Sequence, residues 1–298
     1  MTEFKINDLI TLKFRYPSTE IYVNGKRFIQ CKQLLLSIPK DDVEKYSDVE
    51  SIDEAVEIYD HSVYKSQIYR DDGIPEMEND ENYSLIEPEE EFWDHCSNLQ
   101  VWSEYDYDTR LLKVNLAFPL LKQLAKAGDD LAQIKLKEEI LKRLLSGSES
   151  VIEFLFVEGY QDYLSNEELL TGLLEAKEAE TLMEIQQKLN IIFKFVPSIN
   201  RGLEVAWKER KIVHKFSMSN KKVSGLDLFN CNLTELPDNT FKLKSIKVIN
   251  IGRNPSFNMT LGYFKDLINK LKHLKILVFS QNQSENLSSG IEKLLKKN

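Results

Sequence analysis

GLDLFNCNLTELPDNTF, running from Gly225 to Phe241, decides how the C-terminal third of the chain is read. Alone it is a strand followed by a turn. Its neighbours give it a second reading. VSGLDLFNCNL sets Val223, Leu226, Leu228, Cys231 and Leu233 in the template L-x-x-L-x-L-x-x-N/C-x-L. IKVINIGRNPS repeats it with Ile246, Ile249, Ile251 and Asn254, and LKILVFSQNQS repeats it again with Leu274, Leu277, Phe279 and Asn282. The spacings of 23 and 28 residues lie in the range of stacked solenoid units. Three registered matches, each with its polar or Cys position filled, carry far more weight than one.

The template has a physical basis. Each unit offers a short strand whose fourth and sixth positions point into the stack. A single unit cannot bury that face, so neighbouring strands pair in parallel. The Asn or Cys at position nine stands where the chain turns away, and an Asn there can satisfy backbone groups of adjacent turns. Cys231, Asn254 and Asn282 are the expected ladder residues. The rest of the first unit, TELPDNTFKLKS, reads as extended, with Leu236, Phe241 and Leu243 inward. In the second unit LGYFKDLINKLKH spaces Leu261, Phe264, Ile268 and Leu271 as a helix, which accounts for the longer period. Ile212–Met218 alternates as a strand that would cover the open edge of the repeat sheet.

Residues 223–298 resemble leucine-rich repeats, with LDLFNCNLTELP close to that family's pattern. The whole chain also resembles a group of leucine-rich-repeat proteins of Asgard archaea. In these the repeats follow an N-terminal region with stretches like IYVNGKRFIQC, EFWDHCSNLQVW, YDTRLL and NLAFPLLKQLAKAGD. No activity comes with that resemblance. Family members usually stack more repeats. Here the sequence ends after a third strand and SSGIEKLLKK, which reads as a capped short arc or as a truncated reading frame.

The remainder reads as mixed α/β. Residues 1–70 form a small α/β module: LITLKFRY (Leu9–Tyr16) alternates as a strand, and Asn24-Gly25 between two β-rich runs marks a hairpin. Helices are expected in CKQLLLSI and after Ser51, where Ser51 and Glu54 make a capping-box pattern. Residues 71–91, with ten acids and no base, read as a solvated linker whose end, PEEE, suits a helix start. Residues 92–200 change to helical period, giving a bundle or hairpin stack. Phe92, His95, Cys96, Leu99 and Trp102 share a stripe with Trp93 beside it, Pro119 predicts a kink or break, and Asp129, Ser148 and Ser165 are expected caps. Residues 201–298 hold the repeats and their capping strand.

Composition narrows the function classes. With 42% apolar residues the 298-residue chain is an ordinary folded protein, and no run approaches a membrane span. Three scattered cysteines, Cys31, Cys96 and Cys231, argue against a disulfide framework and fit a cytoplasmic setting. From Leu203 onward 17 Lys/Arg face 8 Asp/Glu, a net of +9, which leaves −18 on the preceding 202 residues out of a total of −9. A solvated lysine face explains this without nucleic acid as a partner. His95 and Cys96 are adjacent and diverge by about 100° on a helix, so no nucleophilic pair is read there. No phosphate-binding loop and no zinc spacing occur, and neither catalytic residue, metal nor cofactor is expected. Trp93, Trp102 and Trp207 are read as core.

The expected working surface is the outward face of the repeat strands. It comprises Asp227, Phe229 and Asn230; Val248, Asn250 and Arg253; and Ile276, Val278, Ser280 and Gln281, with Gly225 and Gly252 between them. Apolar groups ringed by polar ones suit recognition of another protein. The leading expectation is a non-enzymatic scaffold or adaptor. The alternative makes the N-terminal region an enzymatic or nucleotide-responsive domain, with the repeats selecting its substrate or a small GTPase in trans.

Overall fold

The computed structural model describes residues 2–29, 49–51, 54, 55, 58, 87–199 and 213–279. The fold is mixed α/β and divides into two compact units, Met1–Ile140 and Leu141–Asn298. The expected helix in CKQLLLSI, residues 71–86 of the acidic stretch, Trp207, Ser280, Gln281 and Asn282 lie outside the described residues.

The first unit begins with a four-stranded antiparallel meander: β1 (Thr2–Lys5), β2 (Ile10–Arg15), β3 (Ser18–Val23) and β4 (Lys26–Phe28). The β3–β4 turn is Asn24-Gly25 with φ of 47° and 72°, the left-handed pair that a two-residue hairpin needs. Ile10, Leu12, Ile21 and Val23 form its buried face. Ser51 Oγ accepts from Glu54 N at 3.2 Å, while the Glu54 carboxylate accepts from Glu50 N at 3.0 Å. The serine half of the expected box is therefore present, and the glutamate reaches one residue further back.

α1 (Pro88–Glu104) starts at a proline followed by three glutamates and buries Phe92, Cys96, Leu99 and Trp102. Trp93 departs from the core reading: it is 52% exposed because it falls off that stripe, packing by its edges against Phe4 and Phe92. α2 (Val114–Lys126) also departs from expectation, since it runs through Pro119 as one helix. Burial of Leu116, Phe118, Leu120, Leu121 and Leu124 offsets the lost hydrogen bond, a penalty of about 3 kcal/mol. Asp129 caps α3 (Asp130–Ser146) through Ala132 N at 2.9 Å, and Gly147 ends it at φ 72°.

In the second unit, α4 (Glu149–Val157), α5 (Asn166–Leu173) and α6 (Ala176–Leu189) precede a five-stranded sheet. Ser165 and Glu168 make a reciprocal capping box on α5. Ser148 stands at the α4 N-cap position, yet its hydroxyl pairs with Ser150 at 3.1 Å and caps nothing. The sheet order is β5 (Phe193–Phe195), β6 (His214–Ser219), β7 (Lys222–Asp227), β8 (Val248–Asn250) and β9 (Ile276–Val278). β6 covers β7 as an antiparallel hairpin partner, through a turn in which Asn220 and Lys221 have φ of 51° and 58°. β7, β8 and β9 are parallel. Gly225 pairs with Val248 and Val248 with Ile276, offsets of 23 and 28 residues that equal the spacings of the sequence pattern.

One face of this sheet is the core: Val223, Leu226, Leu228, Ile246, Ile249 and Ile251 are each 0% exposed. Beyond β7, Leu236 and Leu243 are inward, but the segment holds a 3-10 turn at Asp238–Lys242 instead of running extended. Phe241 is only half-buried, beneath the Lys270 ammonium at 4.7 Å. α7 (Leu261–Lys270) turns Leu267 inward, with Leu271 just after it, and leaves Ile268 43% exposed. Leu271 is buried and Leu261 and Phe264 are half-buried, as the expected stripe requires, while Leu267 takes the inward place expected of Ile268. Among the described residues no helix is long and apolar enough to cross a membrane.

Candidate binding face

The ladder position holds the most densely hydrogen-bonded side chain described at these strands. Asn254 is 0% exposed. Its Oδ1 accepts from the Cys231 and Leu233 amides at 2.9 and 3.0 Å, and its Nδ2 donates to the Leu228 and Ile251 carbonyls, both at 2.9 Å. One side chain thereby ties the turn after β7 to the turn after β8. Cys231, at the equivalent position one unit earlier, cannot do this. A thiol is a weak donor and acceptor, and its longer contacts are Phe229 O at 3.7 Å and His214 Nδ1 at 3.6 Å.

The outward face is less open than the alternation implies. A Cβ on Gly225 would stand 2.7 Å from Ser217 Oγ and 3.1 Å from Ile199, itself 2% exposed, so this end of the face is covered. Asp227 and Asn250 are 4% and 2% exposed. Asn250 Nδ2 donates to Asp227 Oδ1 at 2.8 Å, the same carboxylate oxygen accepts from Phe229 N, and Asn250 Oδ1 accepts from Gly252 N at 3.0 Å. These two are therefore internal rungs that satisfy strand-end amides, where sequence alone would set them against a partner. Burial pushes the Asp227 carboxyl up from its ordinary range, and the amide and Asn250 hydrogen bonds pull it back.

What remains accessible is a strip along the later strands. Phe229, Val248 and Val278 are half-buried, and Ile276 is 38% exposed. The Phe229 ring lies against Gly252, where a Cβ would meet it at 3.1 Å, and the exposed Arg253 guanidinium stands 5.6 Å from the ring centroid. Asn230 is exposed in a left-handed conformation at φ 55°, its amide held by Gly252 O at 2.9 Å. The strip brings together Phe229, Asn230, Val248, Arg253, Ile276 and Val278 from the expected set.

His214 has no signal in the sequence. The antiparallel register of β6 on β7 carries it to Cys231. Burial pulls the His214 imidazole below its usual range and pushes the Cys231 thiol up to about 12, so each is held neutral. A thiol kept from ionising is the reverse of an activated nucleophile. His214 also lines an open groove of about 750 Å³ with Met183, Gln186, Asn190, Ile192 and Lys194. On α1, burial pushes the Cys96 thiol up to about 11, while His95 Nε2 pairs with Glu91 Oε1 at 3.2 Å. Among the described residues no three His, Cys, Asp or Glu side chains converge as a metal site would require.

No protein-family model, no curated protein and no solved structure matches the chain.

Proposed function

We propose that the chain is a non-enzymatic interaction protein whose C-terminal strands form a short leucine-rich-repeat arc, and that the arc recognises another protein. The register of β7, β8 and β9 at the sequence repeat, together with the Asn254 ladder, supports the repeat reading. The observation that carries the functional reading is the strip itself. Phe229, Val248, Ile276 and Val278 leave apolar surface accessible on adjacent strands, with a guanidinium at its edge. Aromatic side chains and Arg are enriched at protein interfaces, and apolar neighbours that exclude water surround the residues that carry most of the binding energy.

The test is comparative capture. Tagged wild-type protein and the Ile276→Asp and Val278→Asp variants are used to recover proteins from native lysate, with circular dichroism as the folding control. Each Asp sets a charge in a surface that a partner must desolvate, and binding falls by at least about tenfold. Recovery of the same proteins at the same yield by both variants refutes the face as the contact.

A further inference from the structure

The lysines of the repeat region stand in register. Lys244-Ser245-Ile246-Lys247 and Lys272-His273-Leu274-Lys275 occupy the same positions in consecutive units, 28 residues apart. Lys247 O accepts from both Lys275 N and Ile276 N, at 2.8 and 3.0 Å, which sets the two lysines side by side at the entry to β8 and β9. Neighbouring strands lie about 4.8 Å apart, so Lys247 and Lys275 are the rungs of a short ladder, with Lys244 and Lys272 three residues before them in sequence. All four are exposed, and none has an ion-pair partner among the described residues. The nearby cations that are paired, Lys242 with Glu184 and Lys270 with Asp266, leave the ladder itself uncompensated. Between Phe241 and Phe279 eight Lys/Arg face one acid, Asp266.

Like charges directly opposite on adjacent strands oppose folding. Nothing in the packing of the strands calls for them, since Ile246 and Leu274 between them supply the inward contacts. Each rung also borders the apolar strip, because Val248 and Ile276 are the residues that follow Lys247 and Lys275. Resting on the strip as a protein-binding face, we infer that the ladder and strip together receive an acidic amphipathic segment of the partner. Its apolar side covers Val248, Ile276 and Val278, and its carboxylates meet Lys247 and Lys275. The Cβ atoms of residues at i and i+3 or i+4 of a helix stand about 5–6 Å apart, close to the strand spacing of about 4.8 Å that separates Lys247 from Lys275.

The chemistry of the ladder disfavours a nucleic acid. It holds no Arg for bidentate phosphate or base contacts. A short acidic segment needs only the ladder.

The test uses the full chain and three labelled probes, read by fluorescence anisotropy. They are a synthetic Leu/Glu peptide of helical period, its Leu/Lys counterpart, and an oligothymidylate. The Leu/Glu peptide binds and weakens with added salt. Lys247→Glu with Lys275→Glu costs at least about tenfold, while Lys247→Arg with Lys275→Arg keeps binding within about threefold, as screened charge pairing at a rim requires. Equal binding of the Leu/Lys peptide, tighter binding of the oligothymidylate, or unchanged affinity in the Glu variant each overturns the inference. If Val278→Asp abolishes Leu/Glu binding and the Glu variant does not, the ladder fails and the face stands. If binding needs the lysines and ignores Val278 and Ile276, the joint surface is refuted along with the apolar strip.

Discussion

Replacing Asn254 by Ala removes one side chain and strands backbone groups in two turns at once. The Cys231 and Leu233 amides lose their acceptor, and the Leu228 and Ile251 carbonyls lose a donor, in a site with no exposed surface. The Gly252 carbonyl, a weaker partner of Asn254 at 3.3 Å, keeps the Asn230 amide at 2.9 Å. An orphaned buried polar group costs about 1–3 kcal/mol, so two amides alone give about 2–6 kcal/mol, and about 3–5 kcal/mol is the expected loss. Cys231→Ala supplies the contrast. The same register position there makes only long thiol contacts, and its removal costs about 1 kcal/mol or less. Urea denaturation followed by far-ultraviolet circular dichroism measures both. With a slope of about 1–3 kcal/mol/M, the Asn254 variant moves the midpoint by at least about 1 M. Trp93 and Trp102 belong to the first unit and would report on that unit, so amide exchange at residues 228–233 and 249–252 is the local readout. A midpoint shift no larger than that of Cys231→Ala, or unchanged exchange in those two turns, refutes Asn254 as the tie between the turns after β7 and β8.

Two further outcomes follow from the same sheet. The folded-state pKa of His214 is depressed by burial, so below the ordinary value near 6.5 the unfolded chain binds more protons than the native one. Stability therefore falls as pH drops through about 6.5 and onward toward the folded pKa, and His214→Gln flattens that slope in denaturation series at pH 7.5 and about 5. An identical slope in the variant removes His214 as its source. Gly225→Ala drives a Cβ against Ser217 Oγ at 2.7 Å and Ile199 at 3.1 Å, at an overpacking cost of about 1–3 kcal/mol. Ser217→Ala restores part of that loss in the double variant, and additive losses would show that the two side chains do not collide.

How much of this was legible depended on the range of the interaction concerned. The Asn24-Gly25 hairpin, the Ser165 cap and the Pro88 helix start are set by residues within a few positions of one another, and they stand where the sequence puts them. The repeat strands were legible for a related reason: their spacing of 23 and 28 residues is printed in the chain, and parallel pairing at that offset is the one register that buries positions four and six together. Alternation, however, tells only which side of a sheet a residue faces. Whether that side is open depends on what else reaches it. Ile199 over Gly225, and the mutual hydrogen bonding of Asp227 and Asn250, turned part of an expected contact surface into interior. Pro119 and Trp93 carry the same lesson in opposite senses, since a packed stripe kept one helix whole across a breaker and left one large ring outside. His214 beside Cys231 comes from a hairpin pairing that no local pattern encodes.

Net charge was the coarsest signal of all. The excess of +9 after Leu203 is compatible with a merely solvated surface as long as the lysines are only counted. Register changes the physics. Lysines scattered over a convex surface are screened from one another beyond about 8–10 Å, whereas those on adjacent strands sit well inside that distance. Lys247 and Lys275 are placed by backbone hydrogen bonds that they cannot relax without breaking the sheet. Their attachment points are therefore held close in the free protein, and an opposite charge brought between them relieves what repulsion their flexible stems and salt leave. Coupling between the rungs follows from this geometry. Neutralising Lys247 alone relieves Lys275, so the free-energy losses of the two single substitutions in peptide affinity sum to more or less than that of the double. Strict additivity in that cycle would mean that the rungs act as independent surface charges.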